Sequence, residues 1–310
     1  MQRELRFGVI TIQNVPWRTL VERWQYLDEL GFESAWVADH FANYRERSEP
    51  WLECWTLLSA LATHTERIRI GTLVTNITFH NPAVLARQAL TVDHISGGRL
   101  ELGLGAGGAP SDHDATGVPY WDPPERAARL REFTEIVDRL LRNQVTTYRG
   151  QHYRVQNANM NPASVQRPRP PLTLAAWGPK TLRVAAEYAD SWNFAPVKSE
   201  LTPEQNLEET ARRNRMLDDY CSELGRDPDE ITRSLLIFPR ASDAPFDSDD
   251  AFQDFVGRYR EAGIDEFILY WWREDAIEYG YGRAVVDRCV DREMLEHLAT
   301  QVIPTLRAGS

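Results

Sequence analysis

The sequence predicts an α/β protein folded as a (β/α)8 TIM barrel, with insertions at the carboxyl-terminal ends of its strands. Three observations support this fold class. Strand-like and helix-like segments alternate along the whole chain, about eight such pairs fill roughly 300 residues, and polar or glycine-rich residues follow several strands. An open, doubly wound sheet of similar length is the alternative fold. We expect one domain over residues 1–310.

The composition and the absence of targeting signals predict an ordinary globular protein of the cytoplasm. Its 42% hydrophobic and 26% charged residues fit an ordinary globular protein. The net charge of -11 argues against nucleic acid or an anionic membrane as the main partner. No apolar run approaches the ~20 residues of a membrane span, and the N-terminus lacks the apolar core of a signal peptide. The three cysteines lie far apart without metal-binding spacing, so we expect no metal site.

The first half of the chain shows clear strand and helix signals. Apolar residues recur at helical spacing from Trp17 onward, and Gly31 stands where a helix end favours a left-handed residue. The second strand ends at Ala38. The pattern predicts strands over 7–12, 67–74 and 100–104 and helices over 17–30, 51–62 and 82–94.

The second half contains two capped helix starts and one irregular segment. Asp122-Pro-Pro-Glu125 combines a capping residue, first-turn prolines and an acid, and Thr202-Pro-Glu-Gln205 is a similar start. Residues 143–171 are rich in proline, and we interpret them as an insertion or a lid. The remaining predicted strands are 171–176, 190–195, 234–238 and 266–270, and the helices are 180–189, 202–224, 252–261 and 294–306.

His40 is the strongest candidate for chemistry. It stands where a strand is expected to end, beside Asp39, whose carboxylate could orient the ring and fix its tautomer. An imidazole at that place can donate a proton or a hydrogen bond to a cofactor or substrate. A histidine that only caps the end of the strand is the alternative interpretation.

Two further strand exits could approach an anionic ligand. The glycines between Gly103 and Gly108 would let backbone N–H groups come close to a ligand. A dinucleotide-binding motif is disfavoured because we expect a loop, not a helix, over 109–114. A tight turn that binds no ligand is the alternative interpretation of these glycines. The turn 177–181 joins a strand to a helix, and its N–H groups and Lys180 could bind phosphate.

Two other polar groups are given structural interpretations. Glu101 is expected to face the barrel lumen, where a buried carboxylate needs a partner, and Arg69 on the neighbouring strand can supply one. Asp112-His113-Asp114 has the composition of a metal site. Because no fixed further ligand stands nearby, we expect these three residues to lie in a solvated loop.

These motifs together resemble the bacterial luciferase-like flavin and deazaflavin oxidoreductases, and within that family the branch that uses coenzyme F420. The resemblance covers Phe7 to about Phe194 and, more loosely, the remainder. The segments that carry it are WVADHF, RIRIGTLVTNITFHNPAVLARQ, TVDHISGGRLELGLGAG, REFTEIVDRLL, YRGQHY, VQRPRPPLTLAAWGPKTLRVAAEYADSWN and VIPTL.

The resemblance implies a TIM barrel, usually homodimeric, with the ring of the cofactor against the strand exits. Asp39 and His40 would match the family's pair near the reactive centre of that ring. Leu73-Val74 would match a cis peptide that does not involve proline and that lies behind the ring. The residues implied around the ring, the side chain and the phosphate of the cofactor are Leu73, Val74, Thr75, Asn76, Ala106, Gly107, Gly108, Ala176, Trp177, Gly178, Pro179, Lys180 and Thr181.

The function that the resemblance implies is F420-dependent hydride transfer to or from a C=C, C=N or carbonyl/alcohol group of a small organic substrate. His40, oriented by Asp39, would supply a proton or polarise the acceptor, and a separate cofactor reductase is a conceivable partner. A monooxygenase that uses reduced FMN and oxygen is the first alternative. The two differ because a deazaflavin lacks the ring nitrogen that flavin-type oxygen activation requires. A non-catalytic flavin-binding barrel is the alternative from another class.

Three positions depart from the family pattern. Gly108 stands where the F420-dependent sugar-phosphate dehydrogenases carry a catalytic glutamate, which disfavours that activity here. His80 stands where relatives commonly have arginine. The loop over 271–290 has no counterpart that we can match, and its aromatic residues either line an apolar substrate pocket or pack the end of the barrel. These residues are Trp271, Trp272 and Tyr279.

Overall fold

A closed barrel of eight parallel strands forms the centre of the protein. The structure is a computed structural model that describes residues 3–43, 46–196, 201–238, 244–278, 283–286 and 288–308. The strands among these residues are β1 (Arg6–Thr11), β2 (Ser34–Val37), β3 (Arg69–Thr72), β4 (Thr75–Asn76), β5 (Leu100–Gly105), β6 (Val145–Arg149), β7 (Arg154–Asn159), β8 (Leu172–Ala175), β9 (Ser191–Phe194), β10 (Thr232–Leu236) and β11 (Glu266–Trp271).

The strand pairing closes the barrel. The neighbours run in the order β3, β2, β1, β11, β10, β9, β8, β5, and β5 pairs again with β3. Every one of these pairings is parallel. Closure confirms the predicted TIM barrel and excludes the open, doubly wound sheet, which would have two unpaired edges.

Helices surround the barrel and connect successive strands. Within the described residues they are α1 (Trp17–Leu30), α2 (Cys54–Leu61), α3 (Pro82–Ile95), α4 (Pro110–Thr116), α5 (Pro123–Arg142), α6 (Pro179–Tyr188), α7 (Pro203–Leu224), α8 (Asp249–Glu261), α9 (Arg273–Glu278), α10 (Arg283–Val286), α11 (Arg292–His297) and α12 (Ile303–Ala308), with a π-helical turn over Leu298–Val302. In the described part of the chain, no helix is both long and apolar enough to span a membrane.

The predicted helix signals are confirmed at the atomic level. Gly31 ends α1 in the left-handed conformation, with a φ of 81°. The carboxylate of Asp122 accepts the N–H of Glu125 at 2.8 Å. Thr202 and Gln205 cap α7 reciprocally, so that the side chain of each accepts the backbone N–H of the other.

One predicted loop is a helix. Residues 109–114 were expected to be a solvated loop, but Pro110 opens α4 at its first helical position and Gly117 ends it with a φ of 71°. The sequence therefore contained a proline start and a glycine stop separated by only two turns of helix. The consequence is that Asp112 and His113 are buried, whereas Asp114 stays exposed.

The segment 143–171, interpreted above as an insertion or a lid, lies away from the strand exits. It follows α5 and precedes β8, so it lies at the amino-terminal end of the barrel, where β6 and β7 form an antiparallel hairpin. Gln166 in this segment donates from Nε2 to the carbonyl oxygen of Leu100, at the start of β5, at 2.8 Å. A connection from a helix to the next strand cannot cover the opposite end of the barrel.

The amino-terminal end of the barrel is filled with ion pairs. Glu101 accepts hydrogen bonds from Arg69 and, at 3.2 Å, from Arg6, which confirms the predicted pair of Glu101 and Arg69. Arg6 lies 3.6 Å from the carboxylate of Glu266, which is only 1% exposed. Burial raises the pKa of Glu266 to about 7; Arg6 opposes this shift and the neighbouring charge of Glu101 adds to it.

The carboxyl-terminal half of the barrel interior is apolar and aromatic. Trp36, Ile268 and Tyr270 belong to one buried cluster that Trp272 joins from the loop after β11. Trp271 instead faces the outer helices, where the guanidinium of Arg23 lies 5.0 Å from the centre of its ring. Both tryptophans are about 2% exposed and therefore pack the barrel, while Tyr279 lies outside the described residues.

Candidate active site

The exit of β3 is bent toward β5. The Leu73–Val74 peptide bond is cis, as the resemblance implied. A side chain at Gly103 would clash with the carbonyl oxygen of Thr72, and one at Gly105 would clash with Val74. These two glycines therefore allow the strands to approach each other, and the approach of a ligand to the glycine run stays a prediction.

His40 is held by Asp112, not by its neighbour Asp39. The Nδ1 atom of His40 lies 2.8 Å from Oδ2 of Asp112, and the side chain of His40 is 30% exposed. The indole N–H of Trp51 donates to the carbonyl oxygen of His40 at 2.8 Å. The prediction that Asp39 orients His40 was wrong because consecutive side chains at the end of an extended strand point to different sides.

Asp39 serves a second histidine. Its Oδ2 atom accepts the backbone N–H of Asn76 at 2.9 Å and lies 2.8 Å from Nε2 of His80. The side-chain amide of Asn76 donates to Asp112 at 3.2 Å, so Asn76 links the two carboxylates. His80, which sequence reasoning left without a role, is thus part of the network at the exits of β2 and β4.

Both histidines line one cavity. Its volume is about 700 Å³, and it lies between the segment that follows β2 and the start of α3. Aromatic side chains form part of the wall, and Glu53 adds a carboxylate that caps α2. The residues around it include Asp39, His40, Phe41, Trp51, Phe79 and His80.

A second cavity of about 700 Å³ lies between the exits of β5 and β8. It brings together most of the residues that the resemblance places around the cofactor's side chain and phosphate. Those that line it are Ala106, Gly108, Trp177, Gly178, Pro179, Lys180 and Thr181. Gly107 and Ala176 are not among its walls: Gly107 turns toward Asn76 with a φ of 69°, and the Ala176 carbonyl accepts the indole N–H of Trp192.

The cations of this cavity differ in part from those predicted. Lys180 is exposed at the start of α6, and Arg126 on the first turn of α5 lines the same cavity. Sequence reasoning missed Arg126, although a helix that follows a strand exit begins at the same end of the barrel. The N–H groups of Trp177 and Gly178 donate to the hydroxyl of Thr181 at 3.1 Å, so these two groups are already bonded within the turn. Phosphate binding by the rest of the turn stays a prediction.

Comparison with known proteins decides the family. A model of the family described as luciferase-like monooxygenase matches residues 5–288. The chain belongs to this luciferase-like family.

In the described part of the chain no cluster of three or more His, Cys, Asp or Glu residues could hold a metal ion.

Relatives of this luciferase-like protein include both dehydrogenases and monooxygenases. It is 35% identical to an F420-dependent glucose-6-phosphate dehydrogenase of Intrasporangium calvum over 71% of this chain and 64% of that protein. It is 29% identical to a 4-hydroxyprotoasukamycin monooxygenase of Streptomyces nodosus subsp. asukaensis over 83% and 63% of the two chains. The chain thus spans somewhat less than two thirds of the length of these curated relatives.

A solved structure shows the same fold. The coenzyme F420-dependent tetrahydromethanopterin reductase of Methanopyrus kandleri matches with a TM-score of 0.76 and 19% identity, and the match covers 98% of this chain and 100% of the reductase. At this level of identity the match supports the barrel architecture, not the activity.

Proposed function

We propose that this luciferase-like protein is an F420-dependent oxidoreductase that transfers a hydride between the deazaflavin and a small organic substrate. The observation that carries the proposal is the arrangement at the carboxyl-terminal end of the barrel. There, a histidine–carboxylate pair and a cavity with two cations are connected through Asn76, which contacts both Asp112 and the turn at Gly107. The 35% identity to an F420-dependent dehydrogenase supports the same assignment.

The residues present fit a deazaflavin whose side chain carries a phosphate. Gly108 has no side chain, and a Cβ atom there would meet only Nη1 of Arg126, at 2.9 Å, so the wall of the cavity stays open at this point. Lys180 and Arg126 provide positive charge, and the amino-terminal end of α6 adds a favourable dipole for an anion. Val74, which is half-buried and packs against the apolar cluster that contains Leu73, offers an apolar surface for a flat ring.

In this proposal the protein places the reactants and manages one proton. When bound, F420 supplies or accepts the hydride. His40 holds or releases a proton at Nε2, because its Nδ1 atom is engaged by Asp112. The apolar and aromatic residues in the carboxyl-terminal half of the barrel exclude water from the reacting atoms.

The substrate is proposed to carry a C=C, C=N or carbonyl/alcohol group rather than to be a sugar phosphate. Position 108 has no carboxylate, and the side-chain atom that a Cβ at this position would meet belongs to Arg126, a cation. We therefore predict that glucose 6-phosphate is not turned over, despite the identity to glucose-6-phosphate dehydrogenases. A cytoplasmic location, a homodimer and a separate cofactor reductase remain predictions from the sequence.

Turnover assays test the proposal. Oxidised F420 would be offered with 2-propanol, and reduced F420 with acetone or 2-cyclohexen-1-one, with glucose 6-phosphate as the negative substrate. We expect an absorbance change of F420 with one of these probes and none with glucose 6-phosphate. The 29% identity to a monooxygenase supplies the rival outcome: turnover only with reduced FMN and oxygen would overturn the proposal.

A further inference from the structure

We propose that Asp112 is the positioning residue of His40, and that it fixes the imidazole in the tautomer protonated on Nδ1. The role of this pair in proton transfer rests on the proposed function, whereas the tautomer follows from the geometry of the protein alone. Asp112 lies 72 residues from His40 in the sequence and is brought to it by α4.

The burial of Asp112 requires several hydrogen-bond donors. The residue is only 2% exposed, and an ionised carboxylate removed from water is costly unless its oxygens are satisfied. Oδ1 accepts the backbone N–H of Phe41 at 3.2 Å. Oδ2 accepts from the amide of Asn76 at 3.2 Å and lies 2.8 Å from Nδ1 of His40. Since an ionised carboxylate can only accept, Nδ1 must carry the hydrogen.

The backbone that carries Asp112 is anchored by the next residue of α4, His113. His113 is 1% exposed, and its Nδ1 atom lies 2.9 Å from the carbonyl oxygen of Pro119. The rings of Tyr120 and Trp121 pack edge-on against His113, with centroid distances of 5.0 and 5.4 Å. This anchoring means that Asp112 reaches His40 from a fixed position rather than from a solvated loop.

Asp39 is engaged by other groups. The Oδ2 atom of Asp39 is already bonded to the backbone of Asn76 and to His80, and Asn76 stands between the two carboxylates. Each carboxylate therefore serves one histidine. Removing Asp112 should take away the carboxylate that lies beside Nδ1 of His40, and the tautomer protonated on Nδ1 should lose the stabilisation that this carboxylate provides.

Nitrogen NMR of the histidine rings tests this directly in the ligand-free protein. The protein is labelled with nitrogen-15 at histidine, and the His40 signals are assigned from their loss in His40→Gln. At a pH where the ring is neutral, we expect wild-type Nδ1 to resonate as a protonated nitrogen and Nε2 as an unprotonated one. Asp112→Ala should abolish this pattern, whereas Asp114→Ala, a change at an exposed position of the same helix, should leave it intact.

The result that overturns the inference is a wild-type His40 protonated on Nε2 alone, or an Asp112→Ala spectrum identical to that of the wild type. If Asp112→Ala fails to fold, the wild-type spectrum still shows which ring nitrogen of His40 carries the hydrogen. Failure of the protein to bind F420 would contradict the proposed function but would leave this measurement valid. The two failures are therefore distinguishable.

Kinetics separate a positioning role from a general structural one. In whichever of the F420 probe reactions the wild type turns over, Asp112→Asn should lower kcat about 10- to 100-fold with little change in KM. In a His40→Ala background the same change should slow turnover by less than about twofold, because Asp112 acts through His40. An equal loss in both backgrounds would show that Asp112 acts independently of His40.

Discussion

At the amino-terminal end of the barrel Glu101 and Glu266 lie beside arginines, whereas at the carboxyl-terminal end Asp112 and Asp39 pair with histidines. Arg6 and Arg69 hold Glu101 at the first end, and Arg6 also lies beside Glu266. At the second end, Asp112 holds His40 and Asp39 holds His80, and both rings face a cavity.

The difference shows how one barrel separates stability from chemistry. An arginine stays charged at every accessible pH, so its pairs are fixed electrostatic contacts. A histidine gains or loses a proton near neutral pH, so its pairs can take part in a reaction. The distribution agrees with the general behaviour of TIM barrels, whose active sites lie at the carboxyl-terminal end of the strands. Changes at the two ends should therefore have different consequences.

The largest expected effect is the loss of turnover in His40→Ala. Removing the proposed proton donor should lower kcat about 100- to 10,000-fold. The affinity for F420 should change by less than about threefold, because the cavity between β5 and β8 is untouched. Steady-state kinetics and a cofactor titration of the same preparation measure both. Undiminished turnover would remove His40 from the mechanism.

Alanine substitutions at two adjacent glycines test the turn at the carboxyl-terminal end of the barrel. Gly107→Ala should lower the free energy of unfolding by about 1–3 kcal/mol, because the backbone is left-handed and a Cβ atom would clash with Thr78 and Asn76. Gly108→Ala should cost less than about 0.5 kcal/mol, since only the flexible end of Arg126 is near. Denaturant unfolding of both variants measures the difference. Equal losses would contradict this account of the turn.

Glu266→Gln tests the amino-terminal end. The folded-state pKa of Glu266 is raised to about 7 from an ordinary value of 4.5. The folded protein therefore keeps a proton that the unfolded chain releases, and this contribution to stability is lost as the pH rises from about 4.5 to 7. Relative to Glu266→Gln, the wild type should lose about 2–3 kcal/mol between pH 5 and pH 8. A constant difference over that range would contradict the raised pKa.

The smallest effect is expected at the mouth of the second cavity. Lys180→Ala should weaken F420 binding about threefold to tenfold, with a loss that shrinks at high salt because Lys180 is exposed. Arg183→Ala is the control, since Arg183 lies on the same helix but pairs with Glu223 and is not among the lining residues of the cavity. Equal effects of the two substitutions would remove Lys180 from the cofactor site.

The parts of the fold that depend on local patterns could be predicted from the sequence. Helical apolar spacing, the cap at Asp122 and the left-handed Gly31 are local signals, and each of them corresponds to an observed helix boundary. The barrel followed from the order of these elements, because a strand–helix repeat of this length has few ways to close.

The pairing of side chains across the site could not be predicted in the same way. Asp39 is next to His40 in the chain but turns toward His80, and the carboxylate that holds His40 comes from α4. Such a contact depends on how a short helix packs, and the helix itself was missed because its proline and glycine boundaries enclose only seven residues. Arg126 was missed for a related reason: its role arises from the end of the barrel at which α5 begins.

The most direct test of the account is a side-by-side titration of the wild-type protein with F420, FMN and FAD. We predict micromolar affinity for F420 and negligible binding of FMN and FAD under the same conditions. Tight binding of FMN with negligible binding of F420 would contradict the assignment and would favour the monooxygenase.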